Sequence, residues 1–362
     1  MIKLLVVDDS ALMRRLLTEI FTAAGDFAVT VARSGAEALD LLSTVAPDVV
    51  TLDIHMPGMD GLACLDQIMV QAPCPVVMVS SLTVEGAEET LEALALGAID
   101  FVRKPTGAVS LEIDALAPEL VDKVRAASTA RISRATRLRE RVRLRAAIAA
   151  QPAKPERYPA PVEAIPSVAS GAQGLVLVGC STGGPPALDV LLGELPGDFP
   201  WPIVIAQHMP ASFTGPLARR LDRISALNVI EIDRTMQLEP GHVYIGKGDA
   251  DVIVSRRGDT LVAVTATQSS AHFWHPSVDR LVESALRIVA PERLIGVLLT
   301  GMGSDGATAM AELKSRGGAT IAESAESAVI WGMPGALAGN GGASLIRPLD
   351  QIPRALLDLL AR

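Results

Sequence analysis

Short apolar runs alternate with longer amphipathic stretches through the first 130 residues. Lys3–Val7, Ala28–Ala32, Asp48–Leu52, Val76–Val79 and Asp100–Val102 are dominated by Val, Ile and Leu. Between them, Leu12–Phe21, Ala36–Val45, Leu62–Gln71 and Glu85–Leu96 repeat apolar positions at helical spacing. Apolar strands separated by helices of this length predict a parallel sheet covered on both faces. Gly25, Pro47 and Gly97 fall where those helices should stop.

From Ala126 the chain reads as an arginine-rich helix, then as QPAKPERYPAPVEAIPSVASGAQG, where no apolar periodicity survives. Such a stretch is crossed semi-extended and separates domains. A second α/β pattern opens at Leu175. Its strand candidates are Leu175–Val178, Ile203–Ala206, Val243–Ile245, Leu261–Val264, Leu294–Leu299 and Thr320–Ala322. The expected organisation is a domain at 1–125, a basic and Pro-rich linker at 126–170, and a domain at 171–362.

Composition agrees with two packed cores: 362 residues, 49% hydrophobic and 20% charged. No uninterrupted apolar window reaches membrane-spanning length, and MIKLLVVDDS lacks the apolar core and cleavage site of a secretory signal. Cys64, Cys74 and Cys180 show no metal-type spacing. A cytoplasmic protein without membrane insertion is expected. The net charge of −9 is uneven, because Val121–Tyr158 carries 11 Lys/Arg against 3 Asp/Glu, leaving −17 for the rest. A charge block of this kind reads as a solvated face. As a nucleic-acid arm it lacks an aromatic before Tyr158 and any recognition-helix module, so no nucleic-acid partner is expected.

In an open parallel sheet, ligands gather beyond the carboxyl ends of the strands. The first strand ends in Asp8-Asp9, the third in Asp53, the fourth in Ser80-Ser81, and Lys104-Pro105 follows the fifth. Converging carboxylates repel one another unless a hard cation such as Mg²⁺ joins them, so Asp8, Asp9 and Asp53 are candidate ligands. A lysine and a hydroxyl opposite them suit a phosphoryl group, and Asp53 is placed to accept it as an acyl phosphate. VVDDS, LDIHMPGMDGL, MVSSLT and DFVRKP occur in the order found in response-regulator receiver domains, which this segment resembles over about 120 residues. The resemblance implies a flavodoxin-like fold. It also implies Asp53 as phosphoacceptor, Asp8 and Asp9 for Mg²⁺, Ser80 as switch hydroxyl, Phe101 as switch aromatic and Lys104 as phosphate partner. His55 stands where an acidic residue is usual, a position whose carbonyl alone should face the metal.

In the second domain, Cys180-Ser181-Thr182-Gly183-Gly184 follows a strand and precedes Pro185-Pro186, a helix start. GCSTG fits the G-x-S-x-G pattern that exposes a nucleophilic serine. Among His208, His242, His272 and His275, His208 closes the strand IVIAQ and is the preferred base, with a loop histidine of SSAHFWHP as understudy. His242 precedes its strand and should lie at the opposite edge. Asp305, after LIGVLLT, is the candidate orienting acid. However, GMGSDG is also a G-x-G-x-x-G turn with Glu323 and Glu326 downstream, which keeps a dinucleotide-binding oxidoreductase open.

VGCSTGG, IAQHMP, HVYI, AHFWHPSVD, LLTGMGSDGA and WGMPGA together resemble the catalytic domain of chemotaxis protein-glutamate methylesterases over about 190 residues. The two resemblances imply a receiver joined to a doubly wound α/β esterase. They imply Ser181 as nucleophile, His208 as base, Asp305 as orienting acid and the Met302 amide in the oxyanion hole. The implied partners are a histidine kinase as phosphodonor and methylated chemoreceptor helices as substrate. Cys180 reads as packing rather than as a second nucleophile.

Overall fold

The computed structural model describes residues 1–80, 84–104, 109–130 and 174–361. Most of the basic and Pro-rich stretch, together with Ser81 and Pro105, lies outside them.

The first unit alternates β1 (Ile2–Val7), α1 (Ala11–Ala24), β2 (Phe27–Ala32), α2 (Gly35–Val45), β3 (Val49–Asp53), α3 (Gly61–Gln71), β4 (Val76–Ser80), α4 (Val84–Leu96), β5 (Asp100–Arg103) and α5 (Val109–Ser128). Its strands pair in parallel in the order β2-β1-β3-β4-β5. Leu4, Leu5, Val6 and Val7 are all buried, because helices cover both faces and leave no polar side to alternate. Helix ends follow local chemistry: the Ser10 hydroxyl accepts from Met13 N–H, and Gly25 closes α1 in the left-handed region at φ 82°. The order reverses at β1, so the carboxyl ends of β1 and β3 open the crevice where Asp8, Asp9 and Asp53 meet. Helix α5 continues to Ser128, three residues past the boundary expected at 125, with Val124 and Ala127 in the core.

The second unit carries a seven-stranded parallel sheet, β15-β14-β13-β6-β7-β10-β8. It comprises β6 (Leu175–Cys180), α6 (Gly184–Gly193), β7 (Ile203–Gln207), α7 (Ala211–Ile224), β8 (Asn228–Glu231), β9 (Met236–Gln237), β10 (His242–Ile245), β11 (Asp251–Arg257), β12 (Thr260–Ala266), α8 (Val278–Leu286), β13 (Leu294–Leu298), α9 (Ala307–Ser315), β14 (Ala319–Glu323), α10 (Met333–Gly339), β15 (Leu345–Arg347) and α11 (Ile352–Leu360). The chain enters at β6, winds outward through β7, then returns to β13 on the other side of β6. This doubly wound path sets the carboxyl ends of β7, β6 and β13 side by side. Strands β9, β11 and β12 form a separate antiparallel sheet that the sequence reading does not anticipate.

The two units touch along α4 and α7. Arg220 donates to the Leu91 carbonyl and pairs with Asp189, and Arg219 lies 3.3 Å from Glu88. Phe101 packs on Phe213 with centroids 4.2 Å apart, and the Thr182 hydroxyl donates to Asp100. Among the described residues, no helix is long and apolar enough to cross a membrane.

Candidate active site and acidic pocket

The turn after β6 carries Ser181, which is 8% exposed. Its N–H donates to the Thr300 carbonyl at 3.0 Å, and its carbonyl accepts from Gln207 Nε2 at 3.0 Å and from the Gly184 N–H at 2.8 Å. Both sheet neighbours therefore hold the serine backbone. The positive φ of this turn falls on Gly183, at 78°. Glycine takes that conformation at little cost, so the serine has no need to.

His208 follows β7. Its N–H donates to the Cys180 carbonyl at 3.0 Å and its carbonyl accepts from Gln207 Nε2 at 3.1 Å. Its ring Nε2 meets Asp305 Oδ2 at 2.8 Å. Nδ1 is buried and, like the Ser181 hydroxyl, makes no hydrogen bond among the described residues.

Asp305 is held by the start of α8. Oδ2 also accepts from Val278 N–H at 2.7 Å, while Oδ1 accepts from Asp279 N–H at 3.0 Å and from the Ser277 hydroxyl at 3.1 Å. Burial works to raise its pKa, but the hydrogen bond and charge of His208 and the two amides outweigh it and hold the carboxyl below the usual range. A helix N-terminus favours the same ionised form.

Gly301 lets the β13 loop close on Ser181: a Cβ there would stand 2.8 Å from Ser181 Cβ. The next N–H, that of Met302, donates to no hydrogen bond among the described residues. Of the loop histidines, His275 is committed elsewhere, its Nδ1 lying 2.9 Å from Asp251. His242 opens β10, at the amino ends of the strands. Cys180 is fully buried, its thiol pushed well above the usual value by burial, and it donates to Gln207 Oε1 at 3.0 Å.

Glu323, named in the dinucleotide alternative, is 1% exposed and is spent on the protein itself. It accepts from Thr300 N–H at 2.8 Å and from the Ser327 hydroxyl at 2.9 Å. Because the Thr300 carbonyl in turn accepts from Ser181 N–H, this carboxylate braces the Ser181 turn. Neither Glu323 in that role nor Gln207 is anticipated by the sequence reading, although Gln207 stands beside His208 in IAQHMP.

In the first unit, carboxylate oxygens of Asp8, Asp9 and Asp53 lie within 4.8 Å of one another. Lys104 Nζ approaches Asp53 at 2.7 Å and Asp8 at 3.1 Å. Burial raises the Asp53 pKa, Lys104 opposes this, and Asp8 adds to it. Three carboxylates against one ammonium leave negative charge uncompensated, so the donor set fits a divalent cation. The Ser80 hydroxyl is engaged by α4, accepting from Thr90 Oγ1 at 2.7 Å and donating to the Gly86 carbonyl at 3.3 Å. Phe101 is buried against Phe213. His55 pairs with Glu89 at 3.2 Å.

Family models for the CheB methylesterase and the response regulator receiver domain match residues 176–356 and 4–114. Protein-glutamate methylesterase/protein-glutamine glutaminase 2 of Rhodopseudomonas palustris is 54% identical over 99% of this chain and 98% of its own. The corresponding protein 3 of Rhodospirillum rubrum is 54% identical over 100% of this chain and 97% of its own. The crystal structure of the Thermotoga maritima CheB methylesterase catalytic domain is 37% identical, with a TM-score of 0.50 over 52% of this chain and 100% of that one. Identity at this level along the full length is decisive: the chain belongs to the CheB methylesterase family, with a receiver domain in front.

Proposed function

We propose that this chain is a phosphorylation-regulated esterase that hydrolyses glutamate γ-methyl esters on chemoreceptor helices and deamidates receptor glutamines. The observation that carries the reading is the Ser181, His208 and Asp305 set at three adjacent strand ends, with Asp305 hydrogen-bonded to the imidazole. His208 Nδ1 takes the Ser181 proton as the oxygen attacks the ester carbonyl. The Met302 N–H receives the oxyanion. Collapse expels methanol, which leaves with the proton held by His208. Water, deprotonated by the same nitrogen, cleaves the acyl-serine and leaves a glutamate carboxylate. With a glutamine substrate the leaving group is ammonia. The test is methanol release from methylated receptor, with and without acetyl phosphate; no release under either condition overturns the reading.

The domains are read as a receiver that ends with α5 at Ser128, a linker beyond it, and a catalytic domain at 171–362. A histidine kinase supplies the phosphoryl group, and the Asp53 carboxylate attacks phosphorus to displace the kinase imidazole. Asp8, Asp9 and Asp53 would hold Mg²⁺, which when bound offsets charge on the phosphoryl oxygens. Lys104 pairs with the phosphoryl oxygens, and Ser80 turns from Thr90 toward them. Asp53→Asn is expected to abolish phosphate incorporation while leaving basal methanol release within about twofold. Incorporation at the parent rate would move the acceptor role to Asp8 or Asp9.

The receiver restrains the esterase through the α4–α7 contact and through Asp100 on Thr182, the residue beside the nucleophile. Phosphate on Asp53 draws Ser80 from α4 and frees Phe101 from Phe213. A tenfold activation needs about 1.4 kcal/mol, and one hydrogen bond from a charged group is worth about 1.5–3 kcal/mol. Arg220→Met keeps the aliphatic stem and removes the bond to Leu91, so basal methanol release is expected to rise up to about tenfold and the added effect of acetyl phosphate to shrink. An unchanged basal rate with full activation would exclude this contact from the restraint.

A further inference from the structure

Trp274 lies outside the triad yet rests on its base. The indole and the His208 imidazole are stacked 10° from parallel, with centroids 5.3 Å apart, an offset arrangement favourable to aromatic pairs. Among the described residues, only one ring nitrogen of His208 has a hydrogen-bond partner, the Nε2 bound to Asp305. A single hydrogen bond leaves the ring free to roll about its own axis, and that roll would swing Nδ1 away from Ser181. A parallel indole face removes this freedom. It also attracts the imidazolium formed whenever His208 carries the serine proton, since a cation within about 6 Å of an indole centroid is stabilised.

The loop that presents Trp274 is built to stay in place. Asp251, fully buried at the start of β11, clamps both ends: Oδ2 accepts from Ser269 N–H at 3.1 Å and Oδ1 from Ser277 N–H at 2.9 Å. Asp251 also binds the neighbour of Trp274, through His275 Nδ1 at 2.9 Å, and Arg280. Burial pushes the Asp251 pKa up, but His275, the Ser277 amide and Arg280 together hold it low, so the clamp stays charged. Phe273 packs edge-on against Trp274 at 4.9 Å and is 84% exposed, so this pair has one ring on the base and one in solvent.

We infer that Trp274 is a positioning residue for His208, a fixed aromatic face that aims the base at Ser181 and stabilises its protonated form, held by the Asp251–His275 clamp. The inference rests on the esterase reading above. The test compares Trp274→Phe and Trp274→Leu in the full chain, on methylated receptor and on p-nitrophenyl acetate, with Ser181→Ala as the blank. Phenylalanine keeps a flat π face; leucine fills apolar space without one. Trp274→Phe is expected to keep kcat within about threefold, and Trp274→Leu to lose about tenfold or more in kcat, with KM within about twofold, on both substrates. Thermal melting checks that both variants fold, and Trp274→Met replaces the leucine variant if that one does not. Equal kcat in the Phe and Leu variants overturns the inference, because cover alone would then suffice. A raised KM on receptor with kcat unchanged on the small ester overturns it as well, because Trp274 would then be a substrate contact. Ser181-dependent cleavage of the small ester without methanol release would refute the receptor substrate while the Phe and Leu comparison still judges Trp274.

Discussion

Ser181→Ala is expected to lower methanol release from methylated receptor by at least about a thousandfold, with phosphate incorporation at Asp53 unchanged. The local backbone explains why the fold should survive. Ser181 is held by its N–H on Thr300 and its carbonyl on Gln207, and alanine keeps both bonds. The residue of the turn that needs a left-handed conformation is Gly183, so the substitution adds no strain. What disappears is the hydroxyl and, with it, the acyl intermediate of the proposed mechanism. The nearest alternative nucleophile, Cys180, is fully buried, and burial keeps its thiol protonated. Single-turnover methanol release measures the effect. Activity above about one per cent of parent, in a preparation with parental melting behaviour, would move the nucleophile's role elsewhere.

The parallel architecture is legible because fully buried strands write themselves as continuous apolar runs. LLVV of β1 and IVIA of β7 need no tertiary information to be found. The candidate triad is legible for a related reason: a parallel sheet gathers its strand ends, and Ser181, His208 and Asp305 each follow a strand. The antiparallel sheet is less readable. Strand β11 starts with the buried Val252 and Val254 but runs out through exposed Arg256 and Arg257, so its apolar pattern is too short to register. The Gly258-Asp259 pair between β11 and β12 is the hairpin signal that marks it. Motif patterns also overreach. GCSTG puts its left-handed residue at Gly183 rather than at the serine, and GMGSDG spends Gly301 on close approach to Ser181 and Gly306 on close approach to Val278. Long-range roles such as Glu323 on Thr300 and Asp251 on its loop join positions tens of residues apart, and no local pattern encodes them.

Asp305→Asn is expected to cost about a thousandfold to ten-thousandfold in kcat, more than the loss of one hydrogen bond would suggest. Four donors converge on this carboxylate, two of them backbone amides at the start of α8. An amide group offers one acceptor, so either orientation of asparagine turns an NH₂ toward an N–H donor. If its NH₂ faces His208, it donates to Nε2 and drives the ring proton onto Nδ1. The nitrogen that should accept the Ser181 proton then has no lone pair. Stability should respond as well. The carboxyl pKa is depressed in the folded protein, so ionised Asp305 adds stability that is fully present above the ordinary carboxylate value of about 3.9 and is lost as pH falls through the lower folded value. Thermal unfolding of Asp305→Asn should therefore fall below parent at neutral pH, and the gap should narrow as the pH drops below about 4. A variant with kcat within tenfold of parent would separate Asp305 from the reaction. If instead the stability gap does not change on acidification, the carboxylate's charge is not what α8 and His208 hold.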